Sequence, residues 1–369
     1  MLRGCYVAAD GSIISDFVHA VGSLPLEENE KYMALFKRTL SGAAGQTLLP
    51  VDFSADQVMN SPEHQLLTRL VNDGLEDGEA ANAFNQRVIG YIRSVSGAES
   101  QSVEELQNAD NYLILLLFDR YDVPFRKESG EIDREQSDGV FSYVLCALCP
   151  VRQSKSALRY VAPDSAFHAR ESDWVVGMPE VGFMFPAFEE RGANLYRALY
   201  YTRDSAEVHD GFLTDVFGAE PLMTAQEQKE TFQSLLQESL GEDCSLDVVK
   251  AVHETVRDRI QEHKQDKTAE PLAFTPQEVS EVLKDCGVPP EKARTFQQEF
   301  SQRFGQDTAL PAVNMVTPRE FKLSTPGVKI KVDPEYSHLI ETRVIDGKYY
   351  ILVLADGDVE VNGVKITQG

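Results

Sequence analysis

The chain has 369 residues, 42% of them hydrophobic and 25% charged, the balance of an ordinary soluble globular protein rather than a disordered one. Its 35 lysines and arginines against 59 acidic residues give a net charge of −24, a field that disfavours a broad nucleic-acid or membrane surface. Five cysteines, at 5, 146, 149, 244 and 286, make no disulfide framework and suit a reducing cytosol.

The acidity is uneven. Residues 1–220 carry 18 basic against 34 acidic side chains, 221–310 carry 10 against 17, and 311–369 carry 7 against 8. Any contact with nucleic acid is therefore expected near the C-terminus, and a protein partner fits the charge better than direct nucleic acid. The apolar run Tyr112 to Phe118 is too short to cross a bilayer, and no charged-then-apolar leader opens the chain. A cytoplasmic protein with no membrane contact is expected.

In chain order, Gly4 to Ala8 and Ser12 to Val18 flank Asp10-Gly11 and predict a hairpin. A strand this early suggests that the chain starts inside a longer protein. Pro25 opens a helix carrying Tyr32, Met33, Leu35, Phe36 and Leu40, and Gly42 ends it. Two more helices are predicted over 62–72 and 79–95, and Ser102 with Glu105 has the spacing of a capping box. Apolar runs at Asn111–Phe118, Val140–Val151, Leu158–Val161, Val181–Phe188 and Leu195–Tyr201 predict buried strands. Without regular helices between them, they indicate a mainly antiparallel sheet.

The stretch from Asp173 to Arg191 holds the only tryptophan, Trp174, with Phe183, Phe185 and Phe188. It is expected to sit at the centre of the core. Ala206 to Phe304 then reads as helical, with starts at Thr224/Glu227 and at Thr275, Pro276 and Glu278. One stripe joins Leu246, Val249, Val252, Val256 and Ile260. From Phe321 the period is two, and Asp346-Gly347 and Asn362-Gly363 mark tight turns of a small meander. The fold class is α+β with a mainly antiparallel sheet. The divisions are 1–205, a mixed domain; 206–310, helical; and 311–369, the meander.

Reactive motifs are sparse. Ser41-Gly42-Ala43-Ala44-Gly45 follows a helix, whereas a phosphate cradle precedes one. Cys146 and Cys149 have metal-pair spacing, but an offset of three in a strand sends them to opposite faces, and no second pair completes a zinc site. His253 and His263 diverge on one helix. Asp356, Asp358, Glu360 and Asn362 lack the glycine of a calcium loop. Neither a metal nor a cofactor is expected, and no catalytic residue stands out.

Binding is better served. Trp174, Phe183, Phe185 and Arg191, with Arg197 nearby, could form a stacking platform, although a core strand asks for the same aromatic placement. Lys329 and Lys331, with Lys322, could form a basic strip or merely a solvated face.

Gly4-Cys5-Tyr6-Val7, Phe36 to Gly42, Trp174 to Arg191, Thr224 to Phe232 and Glu341 to Gly347 together resemble a bacterial family catalogued as a domain of unknown function, DUF4317. The resemblance spans essentially the whole chain and implies no established activity and no catalytic residues. It also implies a short helical segment ahead of the first hairpin, which is missing here. In layout alone the order of elements is similar to the bacterial nucleoid-associated protein family, with paired strands around 111–150, Phe212 to Phe217 before Gly218, several helices and a closing meander. That similarity implies association with the nucleoid through partners.

The reading that follows is a non-enzymatic cytoplasmic binding or scaffold protein. The alternative is an enzyme assembled from Asp119, Asp122, His168 and Arg191, since sites converge in space rather than in sequence. A third reading makes the helices of 206–304 a docking surface for a helical partner.

Overall fold

The structure, a computed structural model, describes residues 1–96, 110–127, 132–189, 191–265, 271–305, 308–355, 357, 359–361 and 363–366. The spacing at Ser102 and Glu105, and Asp356, Asp358 and Asn362, lie outside the described residues. The chain divides into two compact units, Met1–Thr224 and Ala225–Gly369. The fold is α+β, and every strand ladder named below is antiparallel.

In the first unit, β1 (Leu2–Val7) and β2 (Ile13–His19) form the opening hairpin, with Gly11 at φ 81° in its turn. Helix α1 (Leu26–Thr39) has Glu27 and Glu28 in its first turn and Lys37 and Arg38 in its last, each complementing the helix dipole. After β3 (Leu48–Asp52) come α2 (Ala55–Asn60), closed by a Ser54–Gln57 capping box, α3 (Pro62–Asn72), with proline in its first turn, and α4 (Gly78–Ser96).

Two long strands follow, β4 (Asn111–Arg126) and β5 (Ile132–Gln153), then β6 (Ala157–Val161), β7 (Ala166–Arg170) and β8 (Trp174–Val176). The unit ends with β9 (Val181–Phe185), β10 (Ala187–Glu189), β11 (Gly192–Asn194), β12 (Arg197–Thr202) and a helical turn over 210–217. The main sheet runs β2-β1-β4-β5-β9-β12-β3, and β8 adds to the end of β5.

Both sheet faces are buried, which is why the central strands read as unbroken apolar runs. One face packs Val7, Ile114, Leu116, Cys146, Phe183 and Tyr200 with residues of α3, α4 and the 210–217 turn. The other packs Leu113, Leu115, Leu145, Ala147 and Cys149 with Phe36 of α1. Cys146 and Cys149 thus lie on opposite faces, as their spacing predicts. Gly182 permits the close approach of α1: a Cβ there would stand 2.5 Å from the Cys146 carbonyl oxygen and 2.6 Å from Thr39 Cγ2.

Two expectations fail. Trp174 is not core: it is 51% exposed at the sheet margin, because β8 touches only the last three residues of β5. Leu158 and Tyr160 are not buried either. They lie in the β6–β7 hairpin, which pairs only with itself and presents Leu158 and Phe167 to solvent.

In the second unit, α5 (Ala225–Leu240), α6 (Leu246–His263), α7 (Pro276–Asp285) and α8 (Pro290–Phe304) enclose Phe232, Leu235, Val256, Leu283, Phe296 and Phe300. Thr275 and Glu278 form the reciprocal capping box their sequence predicts. A short pair, β13 (Ala273–Phe274) with β14 (Leu310–Pro311), closes this layer. The meander follows as three hairpins: β15 (Phe321–Thr325) with β16 (Val328–Val332), β17 (Ile340–Ile345) with β18 (Lys348–Val353), and β19 (Val359–Val361) with β20 (Val364–Ile366). Asp346 and Gly347 both take positive φ, 49° and 74°, the geometry of a primed two-residue turn.

Candidate functional site

The aromatic platform does not assemble. Phe183 and Phe185 are fully buried, edge-on to Phe217 and Phe53 respectively, so neither ring face is open to a ligand. Arg191, at φ 67° in the β10–β11 turn, donates to the Pro124 carbonyl and to Asp138 at 2.9 Å, pinning that hairpin against the β4–β5 ribbon. Lys329 is exposed on β16 opposite Ser324, and Lys331 stands opposite Lys322.

Among the described residues no hydrogen bond or ion pair joins Asp119, Asp122, His168 and Arg191 to one another. Asp119 accepts from Tyr143 at 3.2 Å, Asp122 lies opposite Val140 in the ladder, and His168 pairs with Asp164 at 3.2 Å in the separate β6–β7 hairpin. Among the described residues no three His, Cys, Asp or Glu side chains are placed to hold a metal ion.

The fold instead gathers titratable groups at the end of the main sheet where β4 starts and β5 ends. Tyr91 Oη lies 2.9 Å from His209 Nδ1, and Glu207 is 3.4 Å from the same nitrogen. Arg152 holds Asp110 at 2.6 Å and reaches Glu180 at 3.8 Å. Burial raises the Glu180 carboxyl above the usual carboxylate range, against the pull of Arg152. Burial, with Glu180 beside it, pushes the Tyr112 phenol up to about 12. Burial also lowers His209. Burial thus shifts each of these groups toward its uncharged form, the pattern of desolvation.

The second unit carries an open cleft of about 160 Å³ between α5, α6 and the chain from Met315 to Lys322. Helical spacing makes it: Lys229, Phe232, Gln233 and Leu236 follow i, i+3, i+4, i+7 on α5, while Val249, Val252 and His253 repeat the pattern on α6. Met315 and Val316 complete an apolar floor. His253 is nine-tenths buried, its Nε2 3.0 Å from the Thr317 carbonyl, and burial lowers its proton affinity.

The rim is basic. Lys229 donates to Thr317 Oγ1, and both burial and the nearby Lys322 lower its proton affinity. Glu320 is the counter-charge: Lys322 sits 2.7 Å from one of its oxygens, and Lys331 3.5 Å from the other. Of the lysine strip singled out in the sequence, Lys322 lines this cleft and Lys331 joins its rim through Glu320, whereas Lys329 stands opposite Ser324. Lys229 and His253 were hidden in sequence because their spacing is that of any amphipathic helix. The one available signal was a lysine heading an apolar stripe. Glu180 and Tyr112 gave no signal, since they meet only through the sheet.

An antiparallel α+β protein with a small mixed-polarity cleft and no helix, among the described residues, long and apolar enough to cross a membrane is the class the geometry defines. The chain belongs to the family described as Domain of unknown function (DUF4317), whose model matches residues 1–364. A comparison with curated proteins finds no match.

Proposed function

We propose that the protein is a non-catalytic binding protein whose ligand seats in the cleft between α5, α6 and Met315–Lys322. The observation that carries this reading is the cleft itself: an open concavity floored by largely buried apolar side chains, with lysines and one glutamate at its rim. Such pockets recognise an apolar body through their floor and orient it through a few polar groups. A cytoplasmic setting suits the reduced cysteines, and a nucleoid link through protein partners rests on element order alone. Direct duplex binding draws no support from a chain of net charge −24.

The test is methyl NMR of the full chain, following Met315 while 1-hexanol is added. Saturable movement of the Met315 methyl, abolished by filling the cleft with Val249→Phe, is the expected result. A Met315 signal that never moves would remove the reading.

A further inference from the structure

The chemistry of the rim narrows what the cleft takes. Lys229, Lys322 and Lys331 converge on Glu320, so three ammonium groups face one carboxylate in a chain with a large acidic excess elsewhere. Lys229 is the least compensated of the three. Its ammonium donates to the neutral Thr317 hydroxyl, it is partly buried, and the like charge of Lys322 acts on it more strongly than the attraction of Glu320. An anion between Lys229 and Lys322 would replace that repulsion with two charge-assisted hydrogen bonds, the stronger class of such bonds. Directly beneath stand Phe232, Leu236, Val252 and Val316, which offer nothing to a second charge.

We infer that the cleft binds a short aliphatic carboxylate, its carboxylate held by Lys229 and Lys322 and its hydrocarbon chain laid on Phe232, Leu236, Val252 and Val316. The inference rests on the cleft being a binding site and adds the class of ligand. Size sets the length: a cavity of roughly 150 Å³ accommodates a benzene-sized body, about six carbons. The cleft, about 160 Å³, therefore suits hexanoate and its close neighbours. A phosphate or sulfate ester would satisfy the lysines but leave the floor uncovered, and an alkylamine would cover the floor but meet like charge.

The experiment titrates the full chain with hexanoate, 1-hexanol and hexylamine at low ionic strength, reading the Met315 methyl and the heat of binding. Hexanoate should bind about tenfold more tightly than hexanol, with hexylamine weakest, because the charged hydrogen bonds are available to the acid alone. Its affinity should fall with added salt while that of hexanol does not. Lys322→Met, at an exposed side chain where folding is not at risk, should bring hexanoate down to the level of hexanol and leave hexanol unchanged. Lys229→Met should do the same. If hexanol binds as well as hexanoate, or Lys322→Met leaves the preference intact, the carboxylate assignment is overturned while the cleft stands. If none of the three probes moves Met315, both are overturned.

Discussion

Tyr91 and His209 are joined by a 2.9 Å hydrogen bond from the phenolic oxygen to Nδ1, across 118 residues of chain and between α4 and the turn that opens at Asp210. Nδ1 accepts from the Tyr91 hydroxyl when the ring proton sits on Nε2, and donates to the phenolic oxygen when the ring is protonated. Burial of His209 disfavours the protonated ring, and Glu207 opposes it only in part.

Stability should therefore depend on the protonation of His209. Its folded-state proton affinity lies below that of the unfolded chain, so the contribution is complete above an unfolded value near 6.5 and is lost as pH falls below it. His209→Gln keeps an acceptor for Tyr91 but cannot titrate. Chemical denaturation from pH 7.5 to 5 should show wild type losing stability relative to this variant as the solution is acidified. A constant difference across that range would refute the argument.

Glu180 should show the opposite sign. Burial holds its folded proton affinity above the ordinary carboxylate value, so the native state keeps a proton that the unfolded chain releases as pH rises past about 4.5. Glu180→Gln should gain on wild type between acidic and neutral pH, with Arg152 at 3.8 Å limiting the gain. Parallel stability curves for the two proteins would show that the carboxyl is not penalised.

Phe183 and Trp174 separate interior from margin. Phe183→Ala empties a fully buried site and should cost about 3–5 kcal/mol. Trp174→Ala removes a half-exposed ring and should cost much less, on the order of 1 kcal/mol. Urea unfolding of the two variants decides it; equal losses would place Trp174 in the interior after all.

Gly182→Ala should destabilise by roughly 1–3 kcal/mol, because its methyl would meet the Cys146 carbonyl and Thr39. The main-chain oxygen cannot move aside, so Thr39→Ser in the same protein should restore little. Thermal unfolding of the single and double variants checks both statements.

The legible parts of the fold were those fixed by near neighbours. Asp346-Gly347 announces its turn because few residue pairs accept two positive φ values, and Thr275, Pro276 and Glu278 announce a helix start by reciprocal capping. Cys146 and Cys149 fall on opposite faces by strand geometry alone. Trp174 misled because bulk argues for the interior, whereas its position is set by how far β5 outruns its neighbours. The cleft was half legible: Lys331 was visible as one of a charged alternation, but Glu320, which ties it to Lys322, lies eleven positions away. Tyr91 lies in α4, Tyr112 in β4, and Glu180 and His209 in two separate connecting segments, and no local pattern brings them together.

The β4–β5 ladder has a bearing on the order in which the first unit forms. It runs from Asn111 opposite Val151 to Arg126 opposite Ile132, so it can zip from its near end through short closures. Strand β3 must instead find β12 across a gap such as the 145 positions between Asp52 and Arg197. Because closing long loops slows pairing, the ribbon should organise early and β3 should dock late. Pulsed hydrogen exchange during refolding should protect the amides of Leu115 and Ala147 before that of Val51. Until β1 arrives, the apolar edge of β4 stands open, and crowded refolding there would favour pairing between chains over pairing within one.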